Sequence, residues 1–174
     1  MRKTITLEPI GIIHSPFSSL TEIPFQPRFA RGVQGSVELN EEYEVGLKDL
    51  EGFSHIILLS YLHEVHDFDL KVTPSMDTRM RGLFATRAPR RPNPIGISVV
   101  RLQSVEDNIL IIRNIDMLDG TPVLDIKPYI REFDDFAAVK SGWFEEVLHE
   151  KQQRSEPRPM GNYREARESM KKRT

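Results

Sequence analysis

Residues 95–128, IGISVVRLQSVEDNILIIRNIDMLDGTPVLDIKP, decide the fold class. After Gly96 the run alternates through Ile97, Val99 and Arg101, the period of a half-buried strand. The spacing predicts strands over Ile95–Val105 and Ile109–Ile115, with Glu106-Asp107-Asn108 as the hairpin turn between them. Asp119-Gly120 supplies a second turn, and Val123–Lys127 alternates into a third strand. Working outward, FSHIILLSYL (53–62) is the most apolar run of the chain, short and β-branched, as a buried strand requires. Val37–Leu39 reads as a short strand. Thr4–His14 reads as an edge or bulged strand, interrupted by Pro9 and Gly11. Glu41–Leu50 has room for a helical turn ending at Gly52. One full helix is expected, from Ser141 as N-cap to about Arg154, with Trp143, Phe144, Val147 and Leu148 as its apolar face. Many short strands between Gly and Pro turns point to a mainly β protein, a small antiparallel β-barrel with a C-terminal helix and a basic tail. The expected organisation is a barrel over 1–138 and a helix with tail over 139–174, both parts of one unit. SEPRP (155–159) reads as a linker, and Asn162–Glu165 as a weak capping box.

The strand at Ile95 is entered from an arginine-rich loop. Arg79, Arg81, Arg87, Arg90 and Arg91 fall within thirteen residues that contain no carboxylate. Such a cluster repels itself unless an anion lies near. Pro89, Pro92 and Pro94 fix φ and bias Ala88, Arg91 and Asn93 towards extended conformations. A stiff loop of guanidinium groups leading into a sheet suits a carboxylate or a phosphate. The alternative is a surface loop whose arginines pair with acids elsewhere.

The composition narrows the possibilities. The chain has 174 residues, 29% charged and 39% hydrophobic, in the range of a single globular domain. Its net charge is −2, but Lys151–Thr174 holds eight Lys/Arg against three Glu, leaving −7 on the first 150 residues. A basic tail therefore follows an acidic body. No cysteine is present, which excludes disulfides, thiolate nucleophiles and Cys-ligated metal. The start MRKTITLEPIG has no long apolar segment, and no apolar run reaches spanning length, so an intracellular protein without a membrane segment is expected. No two glycines stand in G-x-G spacing, and neither a Walker A loop nor a G-x-S-x-G elbow occurs. A nucleotide-like ligand would not rest on a glycine-rich strand-to-helix turn.

Three further polar groupings could carry chemistry. Asp116, Asp119 and Asp125 lie in DMLDGTPVLDIKPY, where an Asp-Gly turn presents a carboxylate beside backbone groups; a plain hairpin turn explains the segment equally. His63, Glu64, His66, Asp67 and Asp69 offer five metal-ligating side chains in seven residues, but not in the H-E-x-x-H pattern. If the strand continued, His63, Asp67 and Asp69 would share one face and Glu64 and His66 the other, so few could converge. Gln26-Pro27-Arg28 sits in the long loop 21–35, where an amide and a guanidinium could meet a ligand.

Three motifs together resemble a known family. IGIIHSPF (10–17), GLFATRAPRRPNPIGIS (82–98) and DMLDGTPVLDIKPY (116–129) are similar to the TsaA-like, or TrmO, family of β-barrel methyltransferases, over about residues 5–135. The resemblance implies methyl transfer from S-adenosylmethionine to N6 of threonylcarbamoyl-adenosine next to the tRNA anticodon. It implies a cofactor site of Gln26, Pro27, Arg28, His63, Glu64, Arg87, Asp119, Gly120, Thr121 and Pro122, although the family often has Asn at the position of Glu64. No metal is implied. It further implies a homodimer; from their charge, the basic loop (Arg90, Arg91, Asn93) and the tail are expected to meet tRNA phosphates, and a cytoplasmic location is expected. No general base stands out; Asp125 and Glu64 are the candidates. Two other functions remain open: a metal-dependent hydrolase built on His63, Glu64, His66 and Asp67, and a non-catalytic RNA-binding barrel.

Overall fold

The computed structural model describes residues 3–153; the linker, the capping box and the basic tail expected beyond Gln153 lie outside the described residues. The strands are β1 (Gly11–His14), β2 (Gln34–Leu39), β3 (His55–Tyr61), β4 (Lys71–Val72), β5 (Arg81–Gly82), β6 (Ile95–Glu106), β7 (Ile109–Arg113) and β8 (Thr121–Pro128). Two helices follow, α1 (Arg131–Asp134) and α2 (Trp143–Gln153). Six strands close an antiparallel barrel in the order β1-β2-β7-β6-β3-β8, with β8 returning to β1. Closure leaves no open edge in this sheet.

The expected mainly β, small antiparallel barrel is therefore the observed one, and the alternation that announced β6 shows why. Gly96, Ser98, Val100 and Leu102 point inward and are buried, while Ile95, Ile97, Val99 and Arg101 face out. Ile13, Val37, Leu39, Ile56, Leu58, Val100, Leu110, Ile112 and Val123 fill the barrel. Each buried aliphatic side chain of this size contributes about 1.5–3 kcal/mol. The β6–β7 hairpin turns at Asp107, whose φ of 54° is left-handed, as a tight turn demands. Asn108 then ties the hairpin tip to the end of β2 by exchanging bonds with Leu39.

Local differences from the expected strands have local causes. Only the last four residues of Thr4–His14 join the barrel, because Pro9 has no N–H to give a ladder. Gly11 enters so close to β2 that a Cβ there would stand 2.3 Å from the Glu38 carbonyl oxygen. β7 stops at Arg113, since Asn114 turns left-handed at φ 66° and Val33 takes its N–H. The β4–β5 ribbon and α1 are too short to leave a period in the sequence. α2 starts two residues after Ser141, and the Glu145 carboxylate reaches back to accept the Ser141 N–H. Val147 is buried beneath it, as the apolar face requires. No helix among the described residues is long and apolar enough to cross a membrane.

The antiparallel register sorts the motifs. Tyr61 at the end of β3 pairs with Ile95 at the start of β6, Ile13 pairs with Thr121, and Gln34 pairs with Arg113. Residues 14–17, 62–64, 92–96 and 114–121 consequently all emerge at one end of the barrel.

Candidate functional site

That end of the barrel carries a mouth built from the three sequence motifs and the long loop. Gln26 immediately precedes a short 3-10 turn, Pro27–Phe29, in an extended conformation. Its Oε1 accepts a hydrogen bond from Arg87 Nη1 at 2.9 Å, across 61 positions of sequence. The expected partners Gln26 and Arg87 are thus brought together. Pro27 opens the turn; the Arg28 side chain lies outside the described positions.

The DGTP turn is locked to β1. Asp119 N–H donates to the Phe17 carbonyl and Gly120 N–H to that of Ile13, both at 2.9 Å. The backbone donors that an Asp-Gly turn was expected to present to a ligand are therefore already used. The Asp119 carboxylate accepts the Ser15 N–H at 3.0 Å and lies 3.7 Å from His14 Nδ1. Ser15 Oγ in turn donates to the Met117 carbonyl at 2.7 Å. This explains why IIHSPF and DMLDGTP occur in one chain: the first motif fastens the second. Asp119 Oδ2 has no hydrogen-bond partner among the described residues and remains available at a half-exposed side chain. Gly120 holds φ 76°, a conformation that a side chain would strain. Thr121 is buried in the β1–β8 ladder, and Pro122 pairs with Ile12.

His63 and Glu64 follow directly on β3, at the same end, with His63 Nε2 3.7 Å from Glu64 Oε1. Leu62 N–H donates to the Pro94 carbonyl, which sets this corner beside the arginine loop. The strand stops at Tyr61, so the alternation considered for His63–Asp69 does not continue. Among the described residues no three His, Asp or Glu side chains gather as a metal site, which removes the structural basis of the hydrolase built on His63, Glu64, His66 and Asp67. Asp125 lies at the bulge where β8 meets Leu59 and Ser60, and its carboxylate is engaged by Lys127 Nζ at 2.6 Å.

The arginine cluster divides. Arg79 and Arg81 converge on the buried Asp77, with Arg81 Nη2 2.7 Å from Asp77 Oδ2, and both reach Glu146 of α2. Burial alone would push the Asp77 carboxyl up. Hydrogen bonds from Arg81, from the Arg79 and Thr78 amides and from the Arg79 side chain outweigh it and hold it at about 2. For these two arginines, pairing with acids is the correct account. Arg91 folds back on its own loop: Nη1 donates to the Thr86 carbonyl at 3.0 Å, with those of Ala88 and Leu83 at 3.4 and 3.5 Å. Arg90 and Asn93 are exposed.

One residue of the mouth was singled out in sequence only as part of a turn. Asp116 is buried, and Ser98 Oγ donates to its Oδ1 at 2.7 Å. Burial pushes its carboxyl up to about 6, against the Ser98 hydrogen bond, its own backbone amide and the positive charge of Arg87. Gly96 lets Ser60, Leu62 and Met117 pack closely beside it, since a Cβ there would come within 2.7 Å of Ser60 Oγ. The available signal was the setting: a carboxylate between Ile115 and Met117 in an apolar run has to be buried or displaced.

The mouth thus gathers a guanidinium, an amide, two carboxylates in different environments and tightly bonded backbone turns. The chain is similar to known proteins. Residues 12–135 match the profile of the tRNA-methyltransferase O N-terminal domain. A probable S-adenosyl-L-methionine-binding protein of Pyrococcus abyssi is 53% identical over 145 residues, 83% of this chain and 79% of that one. The mouse tRNA (adenine(37)-N6)-methyltransferase is 36% identical over 134 residues, 73% of this chain but 31% of its own length. The crystal structure of TrmO from Pseudomonas aeruginosa superposes with a TM-score of 0.69 at 35% identity, covering 89% of this chain and 76% of that one. The chain belongs to the tRNA-methyltransferase O, or TrmO, family.

Proposed function

We propose that this chain is an S-adenosylmethionine-dependent methyltransferase that methylates N6 of threonylcarbamoyl-adenosine beside the anticodon of tRNA. The observation that carries the reading is the convergence of Gln26–Arg87, Asp116–Ser98 and the Asp119 turn at one barrel mouth, in a chain of this family. The mouse relative's name supports a tRNA adenine as acceptor, and the Pyrococcus relative's name supports the cofactor.

The residues fit such a cofactor by their donor set. Arg87, oriented by Gln26, would hold a carboxylate; the open Asp119 oxygen would take amino or hydroxyl groups; His63 and the Pro27 and Pro122 turns would line the sides. When bound, the cofactor supplies an electrophilic methyl group on a sulfonium. The chain's own contribution is alignment: a bimolecular displacement gains most from holding donor and acceptor close and in line. Locked turns serve that end, because neither the Asp119 turn nor the Arg87 loop needs to reorganise.

The reading also includes a homodimer working in the cytoplasm, with α2 and the basic tail belonging to the same unit as the barrel. In support of the dimer, Tyr61 pairs with Ile95 and Leu59 with Ile97 on the outer face, and Tyr61, Ile95, Ile97 and Val99 are all exposed. Sedimentation of the cofactor-loaded protein as a monomer at micromolar concentration would remove that part. The activity is tested by incubating threonylcarbamoylated tRNA with isotopically labelled cofactor and analysing the nucleosides. Label on N6 of the modified adenosine is expected; label on unmodified adenosine or on no nucleoside would refute the substrate.

A further inference from the structure

We infer that Phe84, backed by the Arg91 guanidinium, is a stacking platform for an unpaired nucleobase of the RNA. The inference rests on the tRNA reading above and adds a contact to it. Phe84 sits at the centre of the 3-10 turn Leu83–Ala85 and is 73% exposed, although its neighbour Leu83 is buried. An isolated exposed phenylalanine is unremarkable on a protein surface. This one is held unusually firmly. Leu83 N–H donates to the Leu70 carbonyl at 2.9 Å, Thr86 Oγ1 donates to the Leu83 carbonyl at 2.8 Å, and Trp143 Nε1 donates to the Ala85 carbonyl at 2.8 Å. The backbone on both sides of the ring is therefore fixed, by β-ribbon, loop and helix at once.

Beside the ring stands a second flat group. Arg91 Cζ lies 5.7 Å from the Phe84 centroid, within cation–π range. Its Nη1 is held by the carbonyls of Thr86, Ala88 and Leu83, so the guanidinium is committed to that position. Arg91 is thus better read as the support of an aromatic surface than as a free phosphate contact. A preset aromatic ring with an arginine plane is the surface on which proteins stack splayed-out bases of single-stranded loops.

Charge selects this occupant over a second copy of the chain. Arg87 and the exposed Arg90 share the loop, and residues 79–91 contain no carboxylate. An apolar protein surface laid on Phe84 would desolvate the Arg90 guanidinium, which has no ion-pair partner among the described residues, whereas RNA brings phosphates beside the stacked base.

The test uses the full chain and a tRNA anticodon stem-loop with 2-aminopurine next to the acceptor adenosine. Phe84→Ala and Phe84→Leu should each weaken binding roughly 5- to 100-fold, the effect of losing one base–aromatic stack. Phe84→Trp should bind at least as tightly as the parent. Fluorescence of the 2-aminopurine should be quenched on binding the parent and the Trp variant, and much less on binding the Leu variant. Because Leu keeps the apolar bulk, a defect shared by Ala and Leu but rescued by Trp identifies the ring and not the fold. Parent-like affinity and quenching in Phe84→Leu would overturn the platform while leaving tRNA binding intact. Failure of the parent to bind the stem-loop would overturn the platform together with the reading it rests on. Conversion of a dimer to a monomer by Phe84→Ala, with RNA affinity unchanged, would assign the ring to a second copy and overturn the inference.

Discussion

Replacing Asp116 by asparagine isolates the energetic cost of keeping a carboxyl group in the barrel mouth. The asparagine preserves the volume and can still accept the Ser98 hydroxyl, but it cannot ionise. The carboxyl is raised from 3.8 to about 6, with burial as the leading cause. Below pH 3.8 both folded and unfolded chains are protonated, and the group has no differential effect. As pH rises the unfolded chain loses its proton first, so the folded state loses relative stability until the pH has passed through about 6. A shift of this size corresponds to about 3 kcal/mol across the whole window, and roughly 2 kcal/mol falls between pH 4.5 and pH 7.5. Urea denaturation of parent and Asp116→Asn at those two pH values measures it, because all other titrating groups cancel in the comparison. The stability advantage of the variant should grow by roughly 2 kcal/mol from the lower to the higher pH. An advantage that stays constant would show that the carboxylate is well solvated and refute the account of the mouth. Retention of so costly a group is consistent with a functional role, since a merely structural carboxylate here could be replaced with a gain in stability.

Two other perturbations separate the arginines by role. Asp77→Ala should lower stability on the order of 1–2 kcal/mol at neutral pH, and the loss should fade as pH falls from about 4 towards 2, because the depressed carboxyl of the parent stabilises the fold only while it is ionised; denaturation curves at pH 7 and pH 3 check this. Arg90→Gln should weaken tRNA binding and reduce the slope of log affinity against log salt by about 1, whereas Arg79→Gln, whose charge is spent on Asp77, Glu146 and Glu150, should leave that slope unchanged.

How much of this was legible in sequence depended on whether a residue's partner lay nearby. The alternation in Ile97, Val99 and Arg101 and the Asp-Gly and Glu-Asp-Asn turns foretold β6, β7 and β8, because side-chain period and turn chemistry are local. Closure of the barrel was legible only as a class, since the β1–β8 pairing joins residues more than a hundred positions apart. The same limit applied to the site. Arg87 and Gln26 were each singled out, but not that one bonds the other. That loop arginines pair with acids was an open alternative, but not that Arg79 and Arg81 do so with Asp77 and with α2, because those acids lie outside the run in which the charges were counted. Asp119 was expected to offer a carboxylate beside free N–H groups; the carbonyls of Ile13 in β1 and of Phe17 just beyond it take those N–H groups, through backbone contacts that leave no compositional trace. Asp116 was named among the carboxylates of the turn but given no role of its own, because its importance comes from burial, which only the closed barrel creates.

The mouth holding Gln26, Arg87 and Asp119 is the proposed cofactor site. Titration calorimetry of the parent and of Arg87→Ala with S-adenosylmethionine tests it most directly, with circular dichroism confirming that both are folded. Arg87 is exposed, so its removal spares the core. The parent should bind stoichiometrically, and Arg87→Ala should bind more weakly by roughly 1.5–3 kcal/mol, the range for a hydrogen bond to a charged group. Equal affinity in the two proteins, or no binding to the parent, would contradict this assignment of the site.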